Sequence, residues 1–133
     1  MKNIMVIDDE PDILLFMQMA LEDHGFDTCT LDDSEDVVEA LLEKKPDLMV
    51  LDYMMPKRSG ITICKEVYES SQFRNLPIIL VSAVVSSKKK QQDDIRAIFK
   101  KYSVPFPKIV LEKPVNLKIL VKQINLLLAE NTT

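Results

Sequence analysis

Four short apolar runs, each ending on a particular polar residue, constrain this chain more than anything else in it. Ile4-Met5-Val6-Ile7 leads into Asp8-Asp9, and Leu48-Met49-Val50-Leu51 leads into Asp52. Ile78-Ile79-Leu80-Val81 leads into Ser82, and Ile109-Val110-Leu111 leads, past Glu112, into Lys113-Pro114. Continuous runs of this length, separated by stretches of helical period, read as buried strands of a parallel sheet. Open α/β sheets bind ligands beyond the carboxyl ends of such strands. The pattern therefore predicts that three carboxylates, a hydroxyl and an ammonium meet in one shallow pocket. That set of groups suits a divalent cation and a phosphoryl group.

The segments between the runs supply the rest of an alternating fold. The first strand is expected over about Asn3–Asp8. Pro11 then suits a first helical turn, where its missing N–H would have had no partner, and Asp12 adds a favourable charge there. Asp8 or Asp9 could also cap this helix. Ile13, Phe16, Met17, Ala20 and Leu21 follow at helical spacing, and His24-Gly25 closes the helix. Phe26–Thr30 alternates as a half-exposed edge strand would. Ser34 is the expected N-cap of a second helix that runs to about Lys44, ahead of Pro46. The third strand covers Asp47–Leu51, and the third helix about Ser59–Ser71. The fourth strand covers Pro77–Val81. Ser86 or Ser87 is the expected cap of a fourth helix whose apolar stripe is Ile95, Ile98, Phe99 and Tyr102. Lys108–Leu111 gives the fifth strand. The fifth helix is expected from Val115 to Ala129, with Leu117, Leu120, Val121, Ile124 and Leu128 inward. This is a doubly wound (βα)5 chain with helices on both faces of the sheet.

Composition agrees and excludes other classes. A chain of 133 residues, 47% hydrophobic and 29% charged, fits one domain with a normal core. A net charge of −4 argues against non-specific nucleic-acid binding. No apolar run approaches the roughly 18 residues of a membrane span, and there is no signal-peptide pattern, so a cytoplasmic setting is expected. Cys29 and Cys64 read as isolated buried thiols, and with His24 the lone histidine there is no soft-ligand metal motif. Two glycines, and none in a loop after the first strand, exclude a P-loop nucleotide enzyme.

Asp-Asp, Asp, Ser and Lys at successive strand ends resemble the response-regulator receiver domain of two-component signalling. The motifs are Val6-Ile7-Asp8-Asp9-Glu10-Pro11, Leu51-Asp52-Tyr53-Met54-Met55-Pro56 with Gly60, Val81-Ser82-Ala83, and Lys113-Pro114. Together they cover essentially the whole chain. The resemblance implies a flavodoxin-like three-layer α/β sandwich with sheet order 2-1-3-4-5, forming a single receiver domain over residues 1–133 with no output domain. It implies that Asp52 is the phosphoacceptor. Asp9 and Asp52 would ligate Mg²⁺ (with Mn²⁺ a substitute), Asp8 mostly through water, and Met54 through its backbone carbonyl. Hard oxygen ligands suit such a cation. Ser82 and the Ala83 N–H would hold phosphoryl oxygens, Lys113 would offset charge, and the Lys113–Pro114 peptide would be cis. The donor would be a sensor histidine kinase or a phosphotransfer protein. The output would be protein contact, with no direct nucleic-acid or membrane partner. The face made by the fourth helix, fifth strand and fifth helix, which receivers commonly use for signalling or dimerisation, is the candidate surface for a homodimer.

Two other classes compete with this reading. An aspartate-nucleophile phosphatase of the haloacid-dehalogenase type needs an acid two residues after the nucleophile, where Met54 stands. A pseudo-receiver interaction module would not need Asp8, Asp9, Asp52, Ser82 and Lys113 all intact. The chain also departs from the family pattern. Val110 stands where the family usually has an aromatic, and Ser82 is farther from Lys113 than usual. The excess falls near Tyr102-Ser103-Val104-Pro105-Phe106-Pro107, so Tyr102 or Phe106 is a candidate replacement. Met54 and Val84, both apolar, flank the expected line of attack. Lys88-Lys89-Lys90, Lys100, Lys101 and Lys108 form one basic region, read as a solvated face, with a surface for an acidic partner the alternative.

Overall fold

The computed structural model describes the backbone of residues 1–83 and 88–130, and the side chains of all of these but 88–92. Five strands, β1 (Asn3–Ile7), β2 (Asp27–Leu31), β3 (Leu48–Asp52), β4 (Ile78–Ala83) and β5 (Ile109–Lys113), alternate with five helices. The helices are α1 (Pro11–Asp23), α2 (Val37–Lys44), α3 (Gly60–Glu69), α4 (Lys88–Lys101) and α5 (Leu117–Glu130). All strand pairs are parallel, and the order is β2-β1-β3-β4-β5. The predicted fold class is therefore the observed one. The Lys113–Pro114 peptide is cis.

The period of two along each strand divides the core into two layers. Met5, Ile7, Met49, Leu51, Ile78 and Leu80 pack with Leu41 of α2, Ile63 and Val67 of α3, and Ile95 and Phe99 of α4. Ile4, Val6, Leu48, Val50, Ile79 and Val81 pack on the other side with Met17 and Leu21 of α1 and Leu120 and Ile124 of α5. The three inner strands carry apolar residues on both faces because both faces are covered. The edge strand β2 is only half-buried, as its alternating pattern predicts. Cys64 is buried in the α2–α3–α4 layer, where burial pushes its thiol up to about 12. Half-buried Cys29 is shifted upward for the same reason.

Element ends depart from the sequence reading where several residues compete for one role. Asp36, not Ser34, caps α2, its carboxylate accepting the Glu39 N–H at 3.1 Å. Ser34 instead donates to Asp32, through Oγ at 2.6 Å and N–H at 2.8 Å. The helix stops on Lys45 in the left-handed region, one residue before Pro46. At α1 the cap position is Glu10, without a side-chain cap bond, so neither Asp8 nor Asp9 caps it. Pro11 does open α1, and Gly25 (φ 88°) takes the left-handed turn after it. β5 continues through Glu112 to Lys113. Phe16, Ile98 and Tyr102, placed inward by periodicity, are exposed instead. In α5 Leu127 joins the core beside Leu128. The expected caps Ser86 and Ser87 lie outside the described residues, as does Val84.

Candidate functional site

Each strand-end residue arrives by simple chain geometry. Asp8 follows the last residue of β1, Asp52 closes β3, Ser82 and Ala83 close β4, and Lys113 closes β5. The register sets Asp52 beside Val81 and Ala83 beside Lys113. Asp8, Asp52 and Ser82 are buried, at 4%, 3% and 2% exposure. Ala83 and the side chain of Met54 are exposed, and Asp9 is intermediate.

The geometry centres on one ammonium. Lys113 Nζ lies 3.1 Å from Asp8 Oδ2 and 3.1 Å from Asp52 Oδ2. The other oxygen of each acid faces backbone. Asp8 Oδ1 accepts the Glu10 N–H at 3.0 Å, and Asp52 Oδ1 accepts the Met54 N–H at a long 3.4 Å. Asp52 Oδ2 is fully buried and no donor is aligned on it, so its contact with Lys113 is an ion pair without hydrogen-bond geometry. Burial pushes the Asp52 carboxyl up to about 6, the neighbouring Asp8 charge adds to the rise, and Lys113 opposes it. Burial pulls the Lys113 ammonium down, but its contacts with Asp8 and Asp52 outweigh this and leave it raised.

A hard divalent cation fits these donors. Asp8, Asp9 and Glu10 can place one carboxylate oxygen each within 4.8 Å of one another. Asp52 adds a buried oxygen that lacks an aligned donor. Glu10 entered the sequence argument only as part of a motif, not as a ligand. Its place on the turn after β1, beside two acids, was the available signal. The structure thus assembles Asp8, Asp52 and Lys113 tightly and puts Asp9 beside Asp8.

The loop after Asp52 is tied down on both sides. The Gly60 N–H donates to the Tyr53 carbonyl at 2.8 Å, and a Cβ on Gly60 would sit 2.9 Å from Tyr53 Cα and 3.2 Å from the Asp52 carbonyl oxygen. Only glycine allows α3 to start this close to the strand end. The Lys57 N–H donates to Asp33 Oδ2 at 2.9 Å, and Arg58 donates to the Glu35 carbonyl at 2.8 Å. Arg58 also grips both oxygens of Glu66 at 2.6 Å. Asp33, Arg58 and Glu66 were not singled out by the sequence. On the far side of Tyr53, aromatic contacts continue to Phe99 (centroids 6.3 Å apart) and from Phe99 to Phe106 (5.1 Å, edge-on). The Arg96 guanidinium lies 4.2 Å over Phe106. Phe106, unlike exposed Tyr102, therefore joins the layer that Val110 also packs against.

Fold and strand-end residues together define a receiver, and the chain belongs to the response regulator receiver domain family, whose model matches residues 4–125. Among particular proteins, it is 39% identical over 82 residues to the alkaline phosphatase synthesis transcriptional regulatory protein PhoP of Bacillus subtilis. It is 33% identical over 82 residues to the DNA-binding response regulator MtrA of Mycolicibacterium smegmatis. Each match covers 62% of this chain but only 33% and 35% of the relative, so the chain spans about a third of the length of these regulators. A signal receiver domain of a histidine kinase from Syntrophus aciditrophicus superposes with a TM-score of 0.81 at 22% identity, covering 99% of this chain and 93% of that one. The Francisella response regulator 1452 receiver domain superposes with a TM-score of 0.74 at 26% identity, covering 99% and 100%. Among the described residues no helix is long and apolar enough to cross a membrane.

Proposed function

We propose that the chain is a phosphorylatable switch that accepts a phosphoryl group on Asp52 and signals through protein contacts. One observation carries the reading: two buried carboxylates from different strands share the Lys113 ammonium, and the buried Asp52 oxygen has no aligned donor. Mg²⁺ held by Asp8, Asp9 and Asp52, with the Met54 carbonyl, would supply charge neutralisation for the transferring group. An Asp52 oxygen attacks phosphorus in line. Its new P–O bond replaces the P–N bond of a phosphohistidine on a kinase or phosphotransfer protein, and the imidazole leaves with the bonding pair. Lys113 stays within reach of the incoming negative charge throughout, which is the main protein contribution to such a step. Ser82 Oγ and the Ala83 N–H are the groups assigned to the remaining phosphoryl oxygens. Residues 1–133 act in this reading as one receiver unit.

The test is intact mass after treatment with acetyl phosphate and Mg²⁺. The wild type should gain one phosphoryl group that hydroxylamine removes, and Asp52→Ala should gain none. Uptake by Asp52→Ala at the wild-type rate overturns the assignment.

A further inference from the structure

The segment from Met54 to Ser59 leaves directly from Asp52 and is closed at its base by the Tyr53–Gly60 bond. Where its middle stands is decided by groups on other elements. Buried Asp33, in the loop between β2 and α2, accepts the Lys57 N–H. Arg58 reaches the Glu35 carbonyl in that same loop and both carboxylate oxygens of Glu66 on α3. The anchoring loop is itself stiffened at both ends, by the Asp32–Ser34 bonds and by the Asp36 cap. Nη2 of Arg58 reaches both Glu66 oxygens at 2.6 Å while Nη1 donates to the Glu35 carbonyl at 2.8 Å, and the Arg58 and Glu66 side chains are only 22% and 34% exposed. Held by two elements at once, the guanidinium is fixed in direction as well as distance. The Met54 N–H, which donates to Asp52 Oδ1 at 3.4 Å, rides on the segment so fixed.

We infer that Asp33 and Arg58 are positioning residues for the pocket, setting the Met54 backbone against the Asp52 carboxylate through the Lys57 N–H, the Glu35 carbonyl and Glu66. This rests on the proposed function, since it concerns how well the same site takes Mg²⁺. Outer groups that orient a metal site commonly change its affinity by about tenfold or more when removed.

The experiment is calorimetric titration of Mg²⁺ into the full chain, with amide resonances recorded to verify each fold. Asp33→Ala and Arg58→Met should each weaken Mg²⁺ binding about tenfold. Glu66→Gln, which keeps the Arg58–Glu35 bond, should fall between these and wild type. Asp33→Asn keeps an acceptor for the Lys57 N–H and should restore near-wild-type affinity, which a merely structural role for the charge would not predict. Lys65→Ala, which removes only an exposed pair with Glu69, should change nothing. The Met54 amide resonance should move in Asp33→Ala and Arg58→Met before any metal is added. Wild-type affinity in both variants overturns the inference. Should Arg58→Met not fold, Asp33→Ala and Glu66→Gln decide it. If the wild type itself binds no Mg²⁺ and takes no phosphoryl group, the functional reading fails and this inference with it. A wild type that does both beside unaffected variants sinks the inference alone.

Discussion

Asp8, Asp52 and the half-buried Lys113 form a group with a formal charge of minus one, and burial of Asp52 is the main reason its carboxyl is raised. Its carboxyl, raised to about 6 in the fold, binds a proton more tightly than in the unfolded chain. A carboxyl raised on folding favours the fold when protonated, so its contribution is fully present below about pH 4 and lost as pH rises through about 6. Asp52→Asn should therefore stabilise the metal-free protein by about 1–2 kcal/mol at pH 7.5. The gain should shrink towards zero by pH 4. Urea unfolding at pH 7.5, 6 and 4 would measure it, and a gain independent of pH would show that desolvation of the charge is not its source. At this scale the sequence pointed to Asp8, Asp52 and Lys113, which the structure brings together, because each sits one or two steps beyond an apolar run. It did not reveal Asp33 or Arg58, whose partners are 24 and 8 residues away on other segments. No local period encodes a contact between two loops.

Among the elements, the start of α3 has least freedom. Gly60→Ala would put a methyl group 2.9 Å from Tyr53 Cα, and backbone there cannot step aside as a flexible side chain would. A loss of about 1–3 kcal/mol is expected, with slower phosphoryl uptake because the displaced atoms adjoin Asp52. Denaturant midpoints and the mass assay together would test this, and unchanged values for both would show that α3 has room to shift. At α2, Asp36→Ala should cost about 1 kcal/mol and Ser34→Ala markedly less, which urea melts can distinguish. Before the structure, either residue was a sound cap by type, since both offer an acceptor near the helix start. Asp32 settles the matter by taking Ser34 into its own turn. Strands were easier to read, because a run buried on both faces has one interpretation. Helical stripes were legible but too wide. Among the described side chains of α4 only Ile95 and Phe99, one turn apart, reach the core, while Ile98 and, just past the helix, Tyr102 stand at the rim.

At the scale of the molecule, two apolar layers share one sheet, and the pocket lies at the end of that sheet. Phe99 is 1% exposed and touches both Tyr53, next to Asp52, and Phe106, in the connection before β5. Phe99→Ala should cost about 3–5 kcal/mol, measured by urea unfolding, and a loss under 1 kcal/mol would mean the layer closes around the gap. Ligation should act in the opposite direction. Mg²⁺ at about 100 times its dissociation constant should stabilise the fold by about 2.7 kcal/mol. The Asp8→Ala/Asp9→Ala double variant should show no such gain in a thermal melt. The overall architecture was readable in the chain because alternation of buried runs and helical stripes leaves few ways to arrange five parallel strands. The connection that places Phe106 against Phe99 was not, since its two prolines indicate stiffness without direction. Lys113, finally, gives the resting pocket a tethered counter-ion. Being covalently held and largely enclosed, it cannot be diluted away or replaced by dissolved salt as a surface partner could. A cation that binds through Asp8 Oδ2 or Asp52 Oδ2 meets an oxygen this lysine already contacts, so at those two atoms it competes with a positive charge already in place. In the proposed switch, an ammonium released by that competition would face the phosphoryl group arriving on Asp52.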